Sequence, residues 1–179
     1  MKRRTALSAA AILLSLSFLP ACGGDPSVEN IPRSERPTPV SGVTNTKSGV
    51  SIDFPEGWAE YPTSGRPYTT YYQNKKRQLA MGLTEFSNQQ SADALGDQVK
   101  RRLQTEGTLV EFGPVTIDGA PAYRVVASLK TVSGNGLVIG TAIARKNDRG
   151  TAIYLYSSGD EKEDHRAEMD ALLATIRMK

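Results

Sequence analysis

The sequence predicts one α+β domain, an antiparallel sheet of about six or seven strands packed with two main helices. Three observations carry that prediction. Short runs place apolar residues at every second position, two segments place them at helical spacing, and turn sequences rich in Gly, Asp and Asn separate the runs. All of these patterns begin after Thr46, so the domain is expected over 47–179.

The first strand is read from Val50, Ile52 and Phe54. Pro55-Glu56-Gly57 then reads as a turn that swings Trp58 back into the core. Tyr68 to Gln73 and Leu79 to Phe86 read as two strands joined by the polar loop Asn74-Lys75-Lys76-Arg77. Ser91 caps a helix whose apolar face is Ala92, Leu95, Val99 and Leu103. Four strands follow as a meander: Leu109 to Ile117, Pro121 to Thr131, Leu137 to Lys146 and Thr151 to Ser157. Asp118-Gly119 is the clearest hairpin signal among them. The last helix is read from Asp160 to Met178, with Met169, Leu172, Leu173 and Ile176 on one face.

The N-terminal region has a different character. Lys2-Arg3-Arg4 precedes an apolar run from Ala6 to Leu19, shorter than the ~20 apolar residues of a spanning helix. Leu19-Pro20-Ala21-Cys22 then resembles the lipobox of bacterial lipoproteins. That resemblance implies a signal peptide over 1–21 and a lipid on the Cys22 sulfur. Cys22 is also the single cysteine of the chain, so no intramolecular disulfide can form. Pro26, Pro32, Pro37 and Pro39 punctuate the polar stretch that follows, so 22–46 is expected to be the lipidated cysteine and a disordered tether. Its expected r.m.s. span is about 25–30 Å.

Charge narrows the choice of partners. The chain has 22 Lys+Arg against 19 Asp+Glu, a net charge of +3, and Lys2, Arg3 and Arg4 supply that whole excess. Without the signal peptide the chain is neutral by formal count, so no global field attracts nucleic acid and no nucleic-acid partner is expected.

Two stretches carry a second resemblance. Gly49-Val50-Ser51-Ile52-Asp53-Phe54-Pro55-Glu56-Gly57-Trp58 and Ile117-Asp118-Gly119-Ala120-Pro121-Ala122-Tyr123, with the terminal helix, are similar to the PsbP-like/Mog-type domain. That group includes bacterial lipoproteins of the LpqN and DcrB types and the photosystem PsbP proteins. The resemblance implies an α/β/α sandwich over roughly residues 48–179 and no particular activity.

No set of residues argues for catalysis. His165 is the single histidine, and nothing near it in sequence supplies a triad. Asp160, Glu161, Glu163 and Asp164 are explained by the dipole at a helix start, and no metal is expected there. Gly134, Gly136 and Gly140 join two strands and lack the spacing of a phosphate loop. The best binding candidates are Tyr61, Tyr68 and Tyr72 with Lys75, Lys76 and Arg77 beside them. Strand alternation is expected to put Tyr71 on the face opposite Tyr68 and Tyr72, so that at least one ring is core.

The expectation is therefore a non-enzymatic binding or assembly-accessory lipoprotein of the cell envelope, without a cofactor. It sits on the extracytoplasmic side of a bacterial membrane, the outer one where the host has two. Its partners are the membrane, through the lipid on Cys22, and an envelope protein or apolar ligand. The rivals are a carrier or sensor of an apolar or glycolipid ligand in a sheet–helix pocket, and an enzyme with an unfamiliar site.

Overall fold

The computed structural model describes residues 36–86, 91–131, 134–144, 149–158 and 162–178. The predicted signal peptide, Cys22 and the first part of the predicted tether lie outside them. So do Asp160 and Glu161, and the side chains of Glu163 and Asp164.

The strands are β1 (Thr38–Asn45), β2 (Val50–Tyr61), β3 (Thr70–Asn74), β4 (Leu79–Phe86), β5 (Gly107–Ile117), β6 (Ala120–Thr131), β7 (Gly134–Ala144), β8 (Gly150–Ser157) and β9 (Arg177–Met178). The helices are α1 (Ala92–Glu106), between β4 and β5, and α2 (Lys162–Ala174), between β8 and β9. All strands join one antiparallel sheet in the order β1-β2-β3-β4-β8-β7-β6-β5, and β9 pairs with β2. The α+β class and the two helices are as expected, but the sheet has nine strands.

Both faces of the sheet are covered. α2 packs Met169, Leu172 and Leu173, with Ile176 just after it, against Ile52, Phe54, Met81, Ile139, Ile153 and Leu155. α1 packs Leu95, Val99 and Leu103 against Val125, Val138, Ala142 and Ala152 on the other face. Alternation within β7 and β8 assigns each residue to one core or the other, which is why these strands read as nearly continuous apolar runs. Glycine lets α1 come close. A Cβ on Gly140 would stand 2.5 Å from Val99 Cγ1 and 3.0 Å from Leu103 Cδ1. Gly140 of the glycine-rich segment is thus a packing device. The hairpin signal at Asp118-Gly119 is real, with φ of +49° and +75°, the pair of left-handed residues that a tight hairpin turn requires.

Three expectations are corrected. The tether does not extend to Thr46: Thr38–Asn45 forms edge strand β1, paired from Thr38↔Glu60 to Asn45↔Ser51. Its stability comes from backbone pairing, and its side chains are mostly exposed, so it shows little hydrophobic pattern. Pro55-Glu56-Gly57 does not end a strand. β2 runs through it, because Ser41 lies opposite these residues in a bulge and Gly57 takes φ +91°. The last helix stops at Ala174 rather than Met178. There Thr175 Oγ1 turns back to accept from Asp53 N at 3.1 Å, and Arg177–Met178 adds a short strand to β2.

Trp58 is 2% exposed and its ring lies 5.4 Å from that of Phe54. Trp58→Ala should lower stability by about 3–5 kcal/mol in urea unfolding, and native tryptophan emission should be blue-shifted and move red on denaturation. A native emission already at the solvent-exposed maximum would contradict this packing. A chain starting at Lys47 lacks β1 and bares the edge of β2. It should melt below a chain starting at Arg36 and self-associate in sedimentation; identical behaviour of the two would show that β1 contributes nothing.

Candidate functional site

α1 lies over β5, β6, β7 and part of β8. On the same face of the sheet, tyrosines cover what remains of β8 and the neighbouring strands β4, β3 and β2. The pairing register explains how. Tyr61 lies opposite Tyr71, Tyr71 opposite Gly82, Gly82 opposite Tyr154, and Tyr154 opposite Gly140. This cross-strand row has two glycine gaps. Val99 and Leu103 of α1 fill the gap at Gly140. Tyr68, from the loop before β3, fills the other, where a Cβ on Gly82 would stand 2.5 Å from its ring.

The rings then run without a break. Tyr61 meets Tyr71 edge-on at 6.5 Å, and Tyr71 stacks on Tyr68 at 5.8 Å. Tyr68 is 6.1 Å from Tyr154, which stacks on Tyr156 at 6.5 Å. The hydroxyls of Tyr68 and Tyr156 are hydrogen-bonded at 2.8 Å. Cations lie on the ring faces: the Arg66 guanidinium 3.9 Å above Tyr71, the Arg102 guanidinium 4.3 Å above Tyr154, and Lys75 Nζ 5.7 Å from the Tyr61 centroid. Arg102 Nη2 also donates to Tyr68 Oη at 3.1 Å, and its Nε donates to Glu106 at 3.2 Å.

Burial holds the Tyr71, Tyr154 and Tyr156 hydroxyls above the ordinary tyrosine pKa, although Arg66 opposes the shift at Tyr71 and Arg102 opposes it at Tyr154 and Tyr156. Arg102 is itself held above the ordinary arginine value: burial opposes its charge, and the surrounding tyrosines with Glu106 outweigh that. The row thus combines tyrosine rings, three of whose hydroxyls are held protonated by burial, with the cations Arg66, Lys75 and Arg102. It can stack, donate hydrogen bonds and attract an anion.

The predicted residues divide. Tyr61, Tyr68 and Lys75 are in this surface. Tyr72 is not, and the expected sharing of a face by Tyr68 and Tyr72 is corrected. Tyr72 is 1% exposed, packed 4.6 Å from Phe54 in the opposite core. Tyr68 precedes the first residue of β3, so strand alternation does not govern it, and it stacks with Tyr71 instead. Arg77 turns to the α2 side, where it chelates Glu168 with bonds of 2.9–3.3 Å. Lys76 is exposed in the β3–β4 turn. Sequence reasoning missed Arg66, Tyr71, Arg102, Tyr154 and Tyr156. The alternating pair Tyr154 and Tyr156 was the available signal, but only the register joins it to Tyr71.

His165, on α2, is half-buried, and its Nδ1 has no hydrogen-bond partner among the described residues. Among the described residues no cluster of His, Cys, Asp and Glu could hold a metal ion.

Comparison with solved structures aligns the chain with the cyanobacterial PsbP of Synechocystis sp. PCC 6803, at TM-score 0.56 and 14% identity, over 90% of this chain and 99% of that one. The fold is PsbP-like. A Bacteroides thetaiotaomicron protein is similar at TM-score 0.52 and 11% identity, over 78% of this chain and 48% of that one. The Saccharomyces cerevisiae Ran-binding protein Mog1p superposes at TM-score 0.49 and 10% identity, over 80% and 96%. No family model and no curated protein matches the sequence. At these identities the PsbP-like fold is what is shared.

The raised tyrosines predict an alkaline transition. An unfolded tyrosine titrates near pH 10. A native value above that means the folded state keeps protons that the unfolded state has lost. Stability is therefore complete below about pH 10 and falls as pH rises further. Phenolate absorbance of the buried rings should appear together with loss of the circular dichroism signal. Titration of all seven tyrosines near pH 10 with the fold intact would contradict the packing of this row.

Proposed function

We propose that the protein is a lipid-anchored, non-catalytic binding module of the cell envelope, which engages a protein partner through the tyrosine–cation surface. The observation that carries this reading is the row from Tyr61 to Tyr156, in which Tyr61, Tyr68, Tyr71 and Tyr156 are half-buried around the buried Tyr154, with its cations in place. Tyrosine and arginine are the side chains that protein interfaces favour, because they bury large area while keeping polar tips. Ring–ring and ring–cation contacts already hold these side chains, which reduces the ordering cost of association.

The lack of catalytic equipment in the row supports a binding role. The Tyr71, Tyr154 and Tyr156 hydroxyls are held protonated by burial, and the carboxylate that touches the row, Glu106, is engaged by Arg102. The sheet–α1 interface also argues against a carrier. Leu95, Val99 and Leu103 are fully buried, and at Gly140 the helix leaves no room even for a methyl group. The membrane anchor rests on the lipobox ending at Cys22. Two or three acyl chains would hold the module firmly at a bilayer, at about 0.8 kcal/mol per buried CH₂.

Two measurements test the proposal. Cys22→Ala should abolish labelling by a fatty-acid probe and release the protein from membranes; retained label and membrane association would remove the anchor. A photo-cross-linking residue in place of Tyr61 should trap a partner in intact cells that the same residue in place of Asp93 does not. Identical adducts from both positions would remove the docking surface.

A further inference from the structure

We infer that the tyrosine row docks an acidic segment of its protein partner, in extended form. This rests on the reading of that row as a docking surface. Its basis is the way the cations are held. Arg66 and Lys75 are exposed and lie on the rings of Tyr71 and Tyr61 at 3.9 and 5.7 Å. Among the described residues no carboxylate pairs with either one.

Four arginines of the domain are held differently, whereas Lys100 also rests on a ring, that of Phe112, at 3.6 Å. Arg77 is paired with Glu168 at 2.9 Å, Arg124 with Asp170 at 2.6 Å, Arg102 with Glu106 at 3.2 Å, and Arg166 with Glu111. A salt bridge spends the charge of its cation on a neighbour. A tyrosine ring does not, since it has a quadrupole and no net charge. The ring fixes where the cation sits and leaves its charge to attract something else. Arg66 and Lys75 are therefore positioned by rings and paired with no carboxylate among the described residues.

Spacing and composition indicate the occupant. The Tyr61 and Tyr71 rings that carry these cations are 6.5 Å apart. In an extended chain, side chains on one face repeat every two residues, about 6.6–6.8 Å. An extended segment can therefore lay alternate side chains over the two rings, with its carboxylates drawn to the cations beside them, and the Tyr68 and Tyr156 hydroxyls lie further along the same row. A lipid surface fits less well. Membrane contact adds apolar side chains that enter the acyl boundary, and the large exposed apolar residues, Val43, Val110 and Phe112, lie on β1 and β5 instead.

The test uses the full chain in zwitterionic detergent and two labelled peptides, one alternating Glu with Ser and the other alternating Gln with Ser, read by fluorescence anisotropy. The Glu peptide should bind, the Gln peptide should not, and added salt should weaken the complex. Arg66→Ser combined with Lys75→Ser should weaken binding by about tenfold and leave the melting temperature unchanged, since both side chains are exposed. Equal binding of the two peptides, or full binding by the double variant, would overturn the inference. So would binding to phosphatidylglycerol vesicles, lost in the double variant, without binding of the Glu peptide. If the Glu peptide fails while the cross-linker at position 61 still traps a specific partner, the acidic chemistry is wrong and the docking surface stands. If both fail, both readings fall.

Discussion

The ladder between β4 and β8, running from Leu79↔Ser157 to Phe86↔Gly150, is the constraint from which the architecture follows. It joins residues far apart in sequence at the middle of the sheet. The chain between them must leave β4, travel to the far edge, and return strand by strand. α1 is the crossing segment, and the meander β5-β6-β7-β8 is the return. Because α1 takes one face, the chain leaving β8 covers the other with α2 before ending beside β2. β8 is buried nearly throughout, as a strand must be when it has neighbours on both sides and helices over both faces.

The tyrosine surface is a consequence of that crossing. One helix cannot span the whole width of so broad a sheet, and α1 leaves the strands beyond β8 without a helical cover. The row from Tyr61 to Tyr154 closes part of this area with large rings whose hydroxyls reach water or each other. Gly82 is needed there for the same reason that Gly140 is needed under α1: a flat aromatic or a helix can approach a strand only where the strand has no side chain. Arg102 ties the two kinds of cover together, since it leaves α1 and contacts Tyr68 and Tyr154.

The sheet edges point the same way. β1 carries Pro39 and loses regular register at Ser41, opposite the bulge in β2, and β5 carries a bulge at Val110 and Pro114. Proline cannot donate to a new strand, and a bulge breaks the regular register, so both edges are poor templates for pairing with another chain. Lys100 lies 3.6 Å above the exposed Phe112 ring of β5 and covers part of it. With the edges disarmed, the tyrosine face is the ordered surface best suited to a partner.

What the sequence determined by itself is local. The apolar spacing of Met169, Leu172 and Leu173 in α2, the Ser91 cap of α1 and the Asp118-Gly119 turn all depend on neighbours within a few residues. The lipobox at Cys22 is likewise a local pattern, and its consequence remains a proposal. What only the tertiary structure decided depends on register. β1 has few buried side chains, and β9 is only two residues long; backbone pairing to β2 defines both. Tyr71 and Tyr72 are adjacent and chemically identical, yet one faces the cation row and the other the core. Nothing in their own sequence separates them, because a shift of one residue in pairing would exchange their faces. The Tyr61–Tyr71–Gly82–Tyr154 row exists only once β2, β3, β4 and β8 are aligned, and that alignment is set by packing between distant parts of the chain.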